Sequence, residues 1–140
     1  MRYLLDTCIF IHLATDKDLL SRDVYALLKD YDSSLYISAE TVRELVIQFN
    51  KKKLVSKFWK TADEMVDSIR KDYFINILPL KEEQMRTYAN LRLNTAQDHN
   101  DPSDHVIIAH AITNRIPLIS DDGKFDFYRN QGLELIVNKK

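Results

Sequence analysis

The stretch RYLLDTCIFIHLA, residues 2–14, holds the first decision about the fold. RYLL is short and almost continuously apolar, as a strand buried on both faces must be. CIFIHLA then reads as a short helix, and Asp6 stands where the strand ends. The stretch looks superficially like a secretory leader, with Arg2 ahead of apolar residues. Asp6 and His12 interrupt the run, however, and no small-residue cleavage site follows. No run in the sequence approaches a membrane span. A cytoplasmic protein, with no membrane partner, is expected.

The same alternation continues along the chain. SRDVYALLKDY (21–31) carries Val24, Leu27, Leu28 and Tyr31 at helical spacing, with Ser21 as a cap. LYI (35–37) is a second strand, and Ser38 caps the helix AETVRELVIQFNKK. A further amphipathic helix is expected from Ser56 to about Lys71, with Phe58, Trp59, Met65 and Ile69. FINIL (74–78) is a third strand, stopped by Pro79. A helix from about Lys81 to Leu93 and a loop, TAQDHND, follow. The helix opened by DPSDHVIIAHA (101–111) runs to about Asn114. PLIS (117–120) and LELIV (133–137) complete about five strands, and KFDFY (124–128) between them forms a short helix that packs Phe125 on the core. Strands alternating with helices predict an α/β fold, its mainly parallel central sheet flanked by helices. Right-handed crossovers place all strand C-termini at one edge, where sites in such sheets form.

A chain of 140 residues suits one domain, 1–140, with one sizeable core. Apolar residues make up 45% and charged residues 29%, an ordinary balance for a water-soluble fold. Two glycines and three prolines leave few breaks, so helix should be abundant. The net charge of −1 sets up no global basic field, so any nucleic-acid binding needs a local patch. Cys8 is the only cysteine, which excludes an intramolecular disulfide and a CxxC metal site. It is read as a small buried hydrophobe beside Asp6.

The acids are not spread evenly over this architecture. Asp6 ends the first strand, and Asp121 and Asp122 follow the fourth. Glu40 and Glu44 lie in the first two turns of the helix after the second strand. Asp101 suits an N-cap, Pro102 the first helical position, and Asp104 the third, where an acid can reach back to the cap. Four segments therefore bring carboxylates to one rim. On a helical wheel, Asp104 falls with Ile107, Ile108, Ala111 and Ile112, the core stripe. Glu44 instead falls with Glu40 and Lys51, opposite Val42, Leu45, Val46 and Phe49. That reads as a solvated charge or as an acid lining a wet cleft. A carboxylate cluster repels itself unless a cation neutralises it, and oxygen ligands suit Mg²⁺ or Mn²⁺. Such ions serve phosphodiester hydrolysis. No Walker loop, GxGxxG or GxSxG is present.

In that order, these blocks resemble the PIN-domain family, and in particular VapC-type toxin ribonucleases. YLLDT (3–7) resembles the opening strand, with the first acid at Asp6 and a hydroxyl at Thr7. YISAETVRELVIQ (36–48) resembles the second block, whose acid falls on Glu44. HNDPSDHVIIAHA (99–111) resembles the third, whose catalytic acid falls on Asp104. PLISDDGKF (117–125) resembles the last, giving Ser120 and Asp122, although Asp121 makes the register ambiguous by one residue. Ser103 and His105 stand where the family often has an aromatic and an arginine. The resemblance implies a metal-dependent endoribonuclease. Asp6, Asp104 and Asp122 would hold one or two Mg²⁺ or Mn²⁺ ions, and Glu44 would hold or orient the attacking water. Hydrolysis would leave 5′-phosphate and 3′-hydroxyl ends. Thr7 and Ser120 would bond ligand carboxylates or a substrate phosphate. It further implies a homodimer, held inactive by a small cognate antitoxin whose C-terminal segment occupies the groove.

Lys51, Lys52 and Lys53, with Lys57 and Lys60, form the main basic cluster. They read as a solvated helix end or as a track for RNA phosphate, with Arg43 a second candidate contact. Tyr36, Trp59 and Tyr73 suit core packing, or stacking platforms for single-stranded RNA. His105 and His110 share no helix face, so a zinc pair is not expected; His99, His105 and His110 read as surface residues, or His99 as a phosphate contact. Two other readings remain at this point. One is a non-catalytic binding module on the same fold, although all four acid positions are filled. The other is a Mg²⁺-dependent phosphotransfer or receiver domain, although no Asp follows the third strand.

Overall fold

An unbroken apolar strand has to be covered on both sides, and β1 (Arg2–Leu5) is: Tyr3, Leu4 and Leu5 are all buried. The computed structural model describes residues 1–140. The other strands are β2 (Ser34–Ser38), β3 (Ile75–Leu78), β4 (Leu118–Ser120) and β5 (Leu135–Val137). All pair in parallel, in the order β3-β2-β1-β4-β5, as the alternation predicts. The connecting helices are α1 (Thr7–Thr15), α2 (Arg22–Lys29), α3 (Ala39–Asn50), α4 (Ala62–Lys71), α5 (Glu82–Ala89) and α6 (Pro102–Asn114). None is long and apolar enough to cross a membrane.

Alternation along the strands divides the core in two. Tyr3, Leu5, Ile37 and Ile119 face a cluster with Phe10 of α1, Val24 of α2, Leu45 of α3 and Ile69 of α4. Leu4, Leu118 and Leu135 face the other way, onto Ile107, Ile108 and Ala111 of α6 and onto Phe125 and Tyr128. The chain lays β2 and β3 to one side of β1, then crosses to lay β4 and β5 on the other. The topological switch point is therefore the cleft between the C-terminal ends of β1 and β4. Leu5 pairs with Ile119, and the Asp6 amide donates to the Ile119 carbonyl at 2.9 Å. The residues just beyond both strands are thus locked side by side.

Local polar chemistry overrides several expected boundaries. α2 stops at Lys29, because Asp30 folds back to accept the Asp32 amide at 2.9 Å; Tyr31 never joins the apolar stripe and is fully exposed. α3 ends at Asn50, and Lys52 adopts a left-handed conformation (φ 60°). The helix expected from Ser56 begins only at Ala62. Ser56 closes its own turn by accepting the Phe58 amide, while Thr61 caps α4 by accepting the Glu64 amide at 3.1 Å. Trp59 is still buried, but Phe58 is 70% exposed, so the two do not share a core-facing stripe. α5 ends at Ala89, four residues before Leu93, where the Asn90 side chain bonds back to the Arg86 carbonyl. TAQDHND contains a single 3₁₀ turn, Thr95–Gln97, and the segment around KFDFY is a 3₁₀ helix, Gly123–Gln131.

This difference sets up a paired mutational test. Trp59→Ala should cost about 3–5 kcal/mol of unfolding free energy, the usual range for a buried aromatic. Phe58→Ala should stay within about 0.5 kcal/mol of the parent. Urea denaturation of both variants decides; comparable losses would mean that Phe58 shares the core with Trp59.

Candidate active site

Three of the acids reach the rim as caps. Asp6 caps α1, its Oδ1 accepting the Thr7 amide at 2.8 Å. Asp101 caps α6, accepting the Ser103 amide at 2.9 Å, with Pro102 following as expected. Asp122 caps the 3₁₀ helix, accepting the Lys124 amide at 2.9 Å. A cap satisfies an orphan backbone donor and fixes a carboxylate at the same time.

Hydroxyl groups tie these segments together. Ser120 donates to Asp6 Oδ2 at 2.7 Å, and its oxygen accepts the Asp122 amide at 3.1 Å. Thr7 donates to Glu44 Oε1 at 2.5 Å and lies 3.2 Å from the Thr41 hydroxyl. Ser120 and Thr7 thus bond the carboxyls of Asp6 and Glu44. Glu44 is half-buried and joined to α1. Glu40 is buried, gripped by the Arg43 guanidinium (2.5 Å) and by the Ser103 hydroxyl. The half-buried Glu44 fits the second of its two readings, an acid lining a cleft, whereas the wheel does not show the burial of Glu40, because the first turns of α3 lie against α1 and α6. Arg43 is thereby already paired. Lys51–Lys53 are exposed, and Lys51 lies about 10 Å along the α3 axis from Glu44.

Asp104 does not reach back to its own cap. Its Oδ2 lies 3.1 Å from His99 Nε2, and donor atoms of His99, Asp104 and Asp122 fall within 4.8 Å of one another. Asp121 points elsewhere: His12 Nε2 and Asn138 Nδ2 each hold it at 2.6 Å. Of the two adjacent acids, Asp122 is therefore the one that stands beside Asp104 and His99. The three C-terminal histidines are not surface residues. His99, His105 and His110 are all buried, bonded respectively to Asp104 and Tyr128, to the His99 carbonyl, and to the Ser38 hydroxyl. Sequence periodicity could not reveal His99, which precedes its helix in a loop. Tyr128 likewise has a specific bond that KFDFY alone did not suggest. Cys8 is half-buried, with its thiol 3.5 Å from Asp6 Oδ2; burial, and secondarily the Asp6 charge, push that thiol upward.

The electrostatics show what this crowding costs. Burial raises the Asp6 carboxyl, against the lowering pull of its bonds from Ser120 and Thr7. Burial raises Glu44 as well, with Asp101 and Asp6 adding repulsion. Asp104 is pushed up to about 8, chiefly by burial and then by Asp6, Asp101, Glu44 and Asp122. Burial lowers His99, which favours the neutral imidazole. A small hard cation would relieve this repulsion, and carboxylate oxygens are the donors such a cation takes. The residues present therefore fit a divalent metal, with the carboxyl oxygens of Asp104 and Asp122 placed close together beside His99.

The sequence profile of the PIN domain matches residues 3–131. The chain belongs to the PIN domain family. Among solved structures, it is similar to VapBC2 from Rickettsia felis bound to a DNA fragment from its promoter: 23% identity, TM-score 0.68, covering 99% of this chain and 100% of that one. It is also similar to VapBC-1 from nontypeable Haemophilus influenzae: 21% identity, TM-score 0.68, 100% of both chains. A third match is DNA-bound VapBC from Salmonella typhimurium: 17% identity, TM-score 0.64, 99% of both chains. At these identities the likeness is one of fold. No curated protein sequence gives a significant match. A PIN fold removes the receiver-domain reading.

The Asp104 shift has a consequence for stability. Folded Asp104 keeps its proton to about pH 8, whereas the unfolded carboxyl loses it near 3.8. Between those values the folded state binds the extra proton, so stability falls as pH rises. With chelator present, wild-type protein should lose on the order of a few kcal/mol between pH 5 and 8. Asp104→Asn should flatten most of that slope. Parallel pH profiles for the two proteins in urea melts would show that Asp104 is not the group responsible.

Proposed function

We propose that this chain is a divalent-metal-dependent endoribonuclease of the VapC type, acting in the cytoplasm as the toxin of a toxin–antitoxin pair. One observation carries the proposal: carboxylates from separate segments converge at the switch point, where burial and then the neighbouring acids push the Asp104 carboxyl up to about 8. Membership of the PIN family and the fold shared with VapBC complexes support it.

In this reading Asp6, Asp104 and Asp122 hold one or two Mg²⁺ or Mn²⁺ ions. Such an ion, when bound, neutralises phosphate charge and makes water acidic enough to attack near neutral pH. The other tasks fall to the protein. Thr7 holds one oxygen of Glu44, leaving the second to accept a proton from the attacking water. Ser120 fixes Asp6 across the switch point, so the two ends of the cluster keep their spacing. Asp101 starts α6 in the register that brings Asp104 inward, and Asp121 locks the neighbouring strand end instead of joining the cluster.

Single-stranded RNA would enter along a groove of about 250 Å³ beside Glu44. Arg43, Gln48, Asp101 and Ser103 help to line it. The exposed face of Arg43 and the more distant Lys51, Lys52 and Lys53 would meet phosphates. Hydrolysis leaves 5′-phosphate and 3′-hydroxyl ends. A small cognate antitoxin would close the groove with its C-terminal segment, and the active unit would be a homodimer.

Purified protein incubated with structured RNAs should cleave them with Mg²⁺ or Mn²⁺ and stop when chelator is added. Asp6→Asn and Asp104→Asn should each slow cleavage roughly a hundredfold or more, at least the cost of disturbing groups that support a metal. Cleavage that persists unchanged in both variants would sink the mechanism.

A further inference from the structure

A carboxylate that is to hold a cation needs donors to fix it, and the protein gives Asp104 one: His99 Nε2, 3.1 Å from Oδ2. The contacts behind that nitrogen run in one direction. The Asn94 backbone amide donates to the Tyr128 hydroxyl oxygen at 3.0 Å. That hydroxyl keeps a single proton of its own, and His99 Nδ1 lies 2.9 Å away. Tyr128 therefore donates to Nδ1, so Nε2 carries the imidazole proton and donates it to Asp104. Once Asp104 is ionised, the opposite tautomer would set the Nε2 lone pair against a carboxylate lone pair. It would also leave the Tyr128 proton with no acceptor.

The ring is held mechanically as well. It packs edge-on against His105, with centroids 4.7 Å apart, and against Phe125 at 5.2 Å. His105 Nε2 donates to the His99 carbonyl at 2.9 Å, fixing the backbone of the same residue. Both His99 and Tyr128 are buried, where apolar residues of similar size would pack without needing partners. Their polar atoms are instead consumed by a line of bonds that ends on one oxygen of Asp104.

We propose that His99 is a positioning residue for Asp104, and that Tyr128 sets its tautomer and orientation. The line Asn94–Tyr128–His99 fixes Oδ2 and leaves Oδ1 free of protein donors. The inference rests on the reading of Asp104 as a metal ligand. It differs from a role for His99 as a ligand itself, which would need the Nε2 lone pair and not its proton.

Calorimetric titration of Mg²⁺ and of Mn²⁺ into the wild type, His99→Leu, His99→Gln, Tyr128→Phe and Asp104→Asn separates these cases. His99→Leu should weaken both ions by about tenfold to a hundredfold, the usual effect of losing a partner that orients a ligand. Tyr128→Phe keeps the packed ring, and it should produce a smaller loss in the same direction. His99→Gln, whose amide can donate from a similar place, should restore binding to near the wild-type value. Thermal melts identify any variant that does not fold; Tyr128→Phe carries the test if His99→Leu fails. Wild-type affinities in both His99→Leu and Tyr128→Phe would overturn the proposal. A loss confined to Mn²⁺ would also overturn it, since a nitrogen ligand matters far more to Mn²⁺ than to Mg²⁺. Wild-type binding by Asp104→Asn would instead defeat the underlying metal reading, whatever His99 does.

Discussion

Carboxylates crowded at the end of two adjacent parallel strands repel one another, and burial makes each harder to ionise. Much of the surrounding structure answers that constraint. Asp6 receives a backbone amide and a serine hydroxyl, Glu44 a threonine hydroxyl, Asp122 a backbone amide and Asp104 a histidine N–H. Each donor reduces the charge burden on its own acid without joining it to the next. The acids stay separate, and they stay aimed at a common space. Removing the crowding would stabilise the apo fold, but it would also remove the counter-charge demand on which cation binding depends.

The sheet makes this arrangement possible. In-register pairing of Leu5 with Ile119 sets Asp6 beside Ser120, and the paired backbones leave little freedom to slip. Two apolar clusters, one per face, hold the strands that carry these residues. Strand β4 then shows why adjacent acids need not share a role. Ser120 faces Asp6 and takes the Asp122 amide, whereas Asp121 turns to His12 and Asn138. Asn138 also accepts the Ser21 amide and donates to the Leu19 carbonyl, so the Asp121 contact secures the C-terminal strand against the start of α2. One acid of the pair stands in the carboxylate cluster, and the other belongs to the frame around it.

The elements that the sequence displays clearly are those governed by period and cap. The apolar strand runs, the capped start of α6 and the inward face of Asp104 can all be read from neighbours within a turn or two. Glu44 was harder, because a helical wheel sees only its own helix. Its half-buried setting comes from Thr7, thirty-seven residues away in sequence. His99 and Tyr128 were harder still. One sits in a loop and the other on a 3₁₀ helix, and nothing periodic marks either; their meeting depends on how the chain between α5 and α6 folds under the last helix. The turn at 56–61 failed for the opposite reason. Amphipathic spacing was present, but Ser56 and Thr61 offered the backbone local alternatives, and those prevailed.

Capping and chemistry are joined more closely here than either requires alone. A helix N-terminus presents unpaired N–H groups and a partial positive charge, so an acid there is stabilised locally. Asp6, Asp101 and Asp122 all occupy such positions, which explains how several carboxylates can stand near one cleft in a folded chain. Asp104 shares the end of α6, but its carboxylate is not the one that caps it. Its carboxylate therefore lacks the backbone partners that hold those caps, and burial and the neighbouring acids push it up to about 8. The histidine fills that gap with a donor from outside the helix. The position of Asp104 thus rests on a buried side-chain line, because no local backbone geometry holds its carboxyl in place.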